Sequence, residues 1–590
     1  MRSKKFFYGF IYLYTKGEFM RIIADYNIKN NHYSTNFRAK KINPKTLITV
    51  GAGLGAGAVM TGCATIVCNG IVNMNKETKK FEKLRDKLAA KLEPIVIDSK
   101  KADWDFYTNS TDENMQKSQE TSDKIYEIFH DEKTYNKFLA IDKTKLSKHD
   151  ARQLKDLAKT FDEEINTGEA RKKLRDKENE IAQKYNSYVP TIDGKEVTRL
   201  ELSRITEEEK DTAIRKKAYE AKIKGGDLIA EELRKLVKMR NEYAKTKGYE
   251  TYFDYMLKEE YDVDSEFLNK LIDEVYTLSS DKIRLLLDKR TKELKETFKT
   301  DKLSNYHYGL ISESDPEKEV NEILEKHNVE DVTKQIYSGM GYDMGKMIED
   351  GRLTLDLYPR KNKNTHGFCF DIDYGKDSRI LANLRNNYSS LGTLCHEMGH
   401  SVYDLGVLPE LPYFDRSVAS MAFTEAVAMM MEDLPKKENV LASIVPEELL
   451  QRFKETQKED DAYFVARSLE IIEFERDMYK NPEQDLKKLW QEKRAKYLDR
   501  DTEADNEWAT IPHYLSHPAY YQNYFRAALM KAQMYNHLIS TLGNITENKK
   551  SAEYIDKNIF SVGASIEEYD LIRQLTGKEF SSKDFARNLE

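Results

Sequence analysis

The sequence is short of cysteine, glycine and proline: 590 residues carry 4 Cys, 26 Gly and 12 Pro. Cys63 and Cys68 lie in the N-terminal region, which leaves Cys369 and Cys395 for all the rest. No disulfide framework can hold such a chain, and a chain this long does not need one. The scarcity of Gly and Pro removes the turn punctuation of a sandwich or barrel. An excess of one charge is lacking too. With 95 Lys and Arg against 102 Asp and Glu, interspersed along the chain, the net charge is only -7. That gives no field for a polyanion, and no basic stripe with interleaved aromatics occurs, so nucleic acid is not an expected partner.

What the chain does have is 33% charged and 39% hydrophobic residues, enough to bury a large core beneath a charged surface. From Lys76 to about Asn328 the pattern is amphipathic, as in Asp227 to Lys247, where Ile229, Leu233, Leu236 and Val237 recur at helical spacing. Pro190, the Asp193-Gly194 turn, Gly225-Gly226 and Pro316 read as interruptions. No long linker separates the segments, and no period of 20 to 50 residues repeats. The expected fold is mostly α, one helical body over 76–590 with a first half at 76–340 and a second at 341–590. One strand is clear: Gly367 to Asp373 is apolar and β-favouring, and Tyr374-Gly375 ends it.

Residues 1–45 read as an N-terminal extension and 46–75 as a targeting or anchoring segment. Thr46 to Asn75 carries no charge and follows Lys40, Lys41 and Lys45. Gly51, Gly53, Gly55, Gly57 and Gly62 make it a poor core helix, since each costs about 1 kcal/mol in a helix interior. Met60-Thr61-Gly62-Cys63 resembles the bacterial lipobox, with Cys63 as the lipidated residue; an uncleaved membrane anchor and a soluble Gly-rich arm are the alternatives. Either of the first two places the protein outside the cytosol and attached to a membrane.

The chemistry concentrates at His396-Glu397-Met398-Gly399-His400. Residues four apart share one helix face, so His396 and His400 can present two imidazoles to one metal ion, with Glu397 beside them. The helix is expected to start with Ser389 or Ser390 as cap and to stop at Gly406. A catalytic zinc takes a third protein ligand, commonly a carboxylate, and keeps one position open. Glu425, on a helical segment 25 residues beyond His400, is the candidate, reached by a turn and a returning helix. Glu432 and Asp433 are expected to be solvated at the helix end before Pro435. Cys395 points about 100° from its neighbour on the helix and reads as a buried packing thiol. Two histidines and a glutamate are also compatible with a solvated polar face.

These residues resemble the gluzincin peptidases of the angiotensin-converting-enzyme, thimet oligopeptidase and oligoendopeptidase F group. HGFCFDIDYGKDSRI before the helix and FTEAVA around Glu425 are similar to segments of the angiotensin-converting-enzyme family. Trp508 to His513 and His517 to Tyr524 look like oligoendopeptidase F. The resemblance implies one zinc per chain, Glu397 as general base, His513 and Tyr524 facing the oxyanion, and Tyr520 or Tyr521 touching substrate. It makes His366 a substrate contact and sets the strand at Gly367 and Phe368 beside an extended peptide. It also implies a deep channel covered by the first half, which admits short peptides; the chain is expected to be a monomer.

Three departures bear on specificity. Ile511 replaces the Lys that holds a substrate's C-terminal carboxylate in the angiotensin-converting-enzyme family. Asn523 replaces that family's chloride-binding Arg, and Met429 replaces an Asp that would orient a zinc histidine, so that partner must come from elsewhere. The expected activity is cleavage of short oligopeptides at internal or near-C-terminal bonds. Release of C-terminal dipeptides, a tethered binding protein with a vestigial site, and a di-iron helix bundle are the alternatives; the last lacks a second Glu-x-x-His pair.

Overall fold

The computed structural model describes residues 30–31, 76–166, 168–311, 315–364 and 367–590. Cys63, the uncharged run around it and His366 lie outside the described residues. Among the described residues, no helix is long and apolar enough to cross a membrane.

The chain is mostly helical, as its composition requires. The first half supplies α1 (Lys76–Thr108), α2 (Asp112–Phe129), α3 (Lys148–Asn166), α4 (Gly168–Asn186), α5 (Thr212–Thr246) and α6 (Ser265–Phe298). After α7 (Val329–Met340) come three strands, β1 (Leu353–Asp356), β2 (Phe368–Asp373) and β3 (Asp377–Leu381). Then follow α8 (Tyr388–Gly406), α9 (Met421–Lys437), α10 (Gln457–Lys480), α11 (Leu486–Leu498) and α12 (Tyr521–Leu542). Shorter helices and a small hairpin fill the connections.

Asp193-Gly194 is a turn as its sequence indicates, with φ of 50° and 79°, and it joins the two-residue strands Thr191–Ile192 and Lys195–Glu196. Gly225-Gly226 is not an interruption. Both glycines lie within the 35-residue α5, where a Cβ on Gly226 would stand 2.5 Å from the Asn506 carbonyl oxygen. They are there for close approach, not for a turn. Pro316 likewise opens a helix (Pro316–Leu324) in place of a loop, with Asp315 as its cap, because a first-turn position needs no N–H.

The strands form one sheet in the order β1-β3-β2, parallel between β1 and β3 and antiparallel between β3 and β2. Period-2 alternation gives β2 two buried faces. Phe370 and Ile372 pack against Trp104 and Tyr107 of α1, whereas Cys369 turns toward α8 and approaches Asp404. The sheet is therefore held between α1 and α8. A single buried apolar cluster runs from Leu174 on α4 to Leu589 and includes α5, α8, α9, α10 and α12, so both halves share one core.

Candidate metal centre

The cap of α8 lies two to three residues before the serines that its sequence suggested. Asn387 is the cap, and its side chain accepts from the Ser390 N–H. Between Leu391 and Asp404 every residue is buried except Thr393, His396, Glu397 and His400. Those four positions, spaced i, i+3, i+4 and i+7, form one stripe. The helix is thus buried on all sides but one, and the open side carries the two histidines and Glu397 of the motif.

α9 crosses α8 at Gly399, where a Cβ would meet the Ala428 Cα at 3.0 Å and the Met431 Cβ at 3.1 Å. Only a glycine lets the backbones come this close, and the crossing brings Glu425 to the two histidines. The Nε2 atoms of His396 and His400 stand 3.2 Å apart, and a Glu425 oxygen lies 3.6 Å from the His396 Nε2. One donor atom from each of the three lies within 4.8 Å of the others.

Both imidazoles are oriented from behind. His396 Nδ1 is 2.9 Å from a Glu432 oxygen, and His400 Nδ1 is 2.9 Å from the Thr424 hydroxyl. Each Nε2 is thereby turned into the shared space. Glu432 keeps 46% of its side chain exposed, yet it is not a free end residue: α9 continues through Pro435 to Lys437, and two turns beyond Glu425 the Glu432 carboxylate reaches His396. Asp433 is also engaged, with Lys531 at 2.7 Å and Lys437 at 2.9 Å. The partner that Met429 cannot supply is Glu432.

The electrostatics favour a cation. Burial opposes charge on His396, but the Glu432, Glu425 and Glu397 carboxylates outweigh it and raise the ring's pKa to about 10. Burial raises Glu425, assisted by Glu432 and opposed by His396 and a hydrogen bond from Tyr520. Glu432 stays below the usual carboxylate range: burial is outweighed by His396 and Lys531. Two imidazoles and a carboxylate, each histidine tied at its second nitrogen, fit a catalytic zinc.

Cys395 is buried against Thr333 and Tyr337, and burial pushes its thiol up to about 12, as expected of a packing residue. A Cβ on Gly367 would lie 3.5 Å from a Glu397 oxygen, so this glycine leaves the motif face open. The Phe368 ring packs edge-on against Tyr107 of α1, with centroids 5.4 Å apart.

The residues carried over for the oxyanion gather on one side of the group. His513 opens a single helical turn (His513–Ser516), and Tyr521 opens α12. The His513 ring stacks on Tyr520 at 5.5 Å and meets Tyr521 and Tyr524 edge-on at 5.0 and 6.1 Å. Tyr520 is buried and bonds Glu425, so it links this aromatic cluster to the metal group. Burial lowers His513 to about 4, which keeps its ring neutral.

Residues 205–590 match the family model described as Peptidase family M3. The chain belongs to this family. Residues 75–280 also match the model described as angiotensin-converting enzyme. Among curated proteins, the chain is 25% identical over 205 residues to Oligopeptidase PepF of Bacillus subtilis (strain 168), an overlap of 32% of this chain and 28% of that protein. It is 23% identical over 433 residues to Saccharolysin of Saccharomyces cerevisiae (strain ATCC 204508 / S288c), covering 60% of each. The chain thus spans less than two thirds of either relative. Set on this M3 scaffold, the partners Glu432 and Thr424 are what the residues alone did not identify. The signal for Glu432 was present: seven positions from Glu425 is two helical turns, hence the same face.

Proposed function

We propose that the protein is a zinc oligopeptidase that cuts internal or near-C-terminal bonds of short peptides. The observation that carries this reading is the convergence of His396, His400 and Glu425, with Glu397 on the same open stripe of α8. Zinc held there would acidify a water and polarise a carbonyl. Glu397 takes the water's proton at its carboxylate and passes it to the leaving amine. Tyr524 donates its hydroxyl where oxyanion charge develops, and neutral His513 donates a ring N–H on the same side. The peptide lies extended along β2, one of the two edge strands of its sheet, near Gly367. Ile511 is buried, so no cation stands there to demand a free C-terminal carboxylate, which favours an oligopeptidase over strict dipeptide release.

The test uses full-length protein, a quenched fluorescent peptide and metal analysis. Wild-type protein should hold about one zinc, lose turnover to a chelator and regain it with zinc. Glu397→Gln should keep the zinc and lose nearly all turnover. A zinc-loaded variant at the wild-type rate would overturn the proposal.

A further inference from the structure

The segment from His513 to Tyr520 carries no sheet pairing, and other elements fix it through its backbone and the Tyr514 hydroxyl. On α10, Ile471, Glu475 and Tyr479 are four residues apart and so share one face. The Ile471 carbonyl accepts from the Tyr514 hydroxyl at 3.2 Å, and Glu475 Oε1 accepts from the Ala519 N–H at 2.9 Å. The Tyr479 hydroxyl is 3.1 Å from Arg240 of α5, whose guanidinium donates to the carbonyls of Tyr514 at 2.7 Å and Leu515 at 2.5 Å. Tyr261 adds a fourth hold by donating to the Pro518 carbonyl at 3.2 Å.

Ala519 is the critical position. Its φ of 59° is left-handed, a conformation that a residue with a Cβ avoids, and it is buried. The turn it makes comes immediately before Tyr520, which bonds Glu425, and Tyr521 and Tyr524 follow on α12. Glu475 itself is buried and enters no ion pair among the described residues. A buried carboxyl is costly to keep, and the mechanism proposed above gives it nothing to do. Burial pushes it up to about 8 against the Ala519 hydrogen bond and Arg240, so a neutral acceptor of the same shape can serve as well.

We propose that Glu475 is a positioning residue: by accepting the Ala519 N–H it fixes the left-handed turn that aims Tyr520 at Glu425 and Tyr524 at the reacting carbonyl. This rests on the hydrolytic reading of the site. Glu475 touches no substrate and acts through the loop. Its loss lets Ala519 relax to an ordinary conformation, and the tyrosines that follow swing with it.

The test measures kcat, KM, zinc content and melting temperature for full-length variants. Assayed at saturating zinc, Glu475→Ala should lower kcat about 100-fold, the scale of a small misplacement of a reacting group, with KM little changed. Glu475→Gln keeps an acceptor at the same place and should restore most of kcat. Glycine adopts positive φ freely, so Ala519→Gly in the Glu475→Ala background should recover activity by about tenfold or more. The same double variant decides the matter if Glu475→Ala alone does not fold, because the proposal requires the pair to fold and to turn over. Wild-type kcat in Glu475→Ala, a loss of kcat that added zinc alone restores in full, or no recovery by either Gln or Ala519→Gly would each overturn it. Failure here beside an inactive, zinc-loaded Glu397→Gln would sink the positioning role alone; an active Glu397→Gln would sink the hydrolytic reading itself.

Discussion

Glu432 holds the Nδ1 of His396 at 2.9 Å from the same helix that supplies Glu425. One helix thus delivers both a candidate ligand and the group that orients another. Removal of such a partner typically weakens a metal site about 10–100-fold. Glu432→Ala should therefore raise the zinc dissociation constant by that factor in a competition with a fluorescent chelator. An unchanged constant would show that His396 needs no such support.

Gly399 makes a separable prediction. Its substitution by Val would press a branched side chain onto the Ala428 Cα and Met431 Cβ, each about 3 Å from the new Cβ. Neither contact is the flexible end of a side chain, so the helices must part. The expected loss is about 1–3 kcal/mol, as for overpacking of a tight core, together with reduced zinc content. Calorimetry and metal analysis on one preparation measure both, and a variant with wild-type melting temperature and zinc would contradict the crossing.

Tyr524 should report on the reaction and not on the fold. Tyr524→Phe removes one hydroxyl and should lower kcat about 100- to 1,000-fold while zinc and KM hold. The same assay addresses the buried Ile511: peptides with an amidated C-terminus should be cut at rates close to those of the free acids. A strict need for the free acid would argue for dipeptide release.

Acid should destabilise the protein through His517. Burial, then His513 and Arg240, lower its pKa to about 3, against 6.5 for the free side chain. The folded ring therefore refuses a proton that the unfolded chain accepts below pH 6.5. Stability drains as pH falls from there toward 3, by at most about 1.4 kcal/mol per pH unit from this group. His513, held at about 4, adds a second contribution of the same sign. His517→Gln should narrow the difference between urea midpoints at pH 7 and pH 5. If that difference is unchanged, the burial of His517 has no such consequence.

The amino-acid pattern by itself determined the mostly helical body, the β2 strand and the candidate ligand triad His396, His400 and Glu425. These follow from local periodicity and from donor chemistry at fixed spacing, which need no knowledge of neighbours. Tertiary structure alone decided the rest. Gly225 and Gly226 read as a break because nothing nearby in sequence announces that Tyr185, Tyr188 and the Asn506 carbonyl will press against them. Glu432 read as a solvated end residue until α9 crossed α8 at Gly399 and set it behind His396. The left-handed turn at Ala519 is invisible locally, since a residue with a Cβ takes that conformation only where distant groups enforce it. Here those groups are Glu475, 44 residues away, and Tyr261, 257 residues from the Pro518 it bonds.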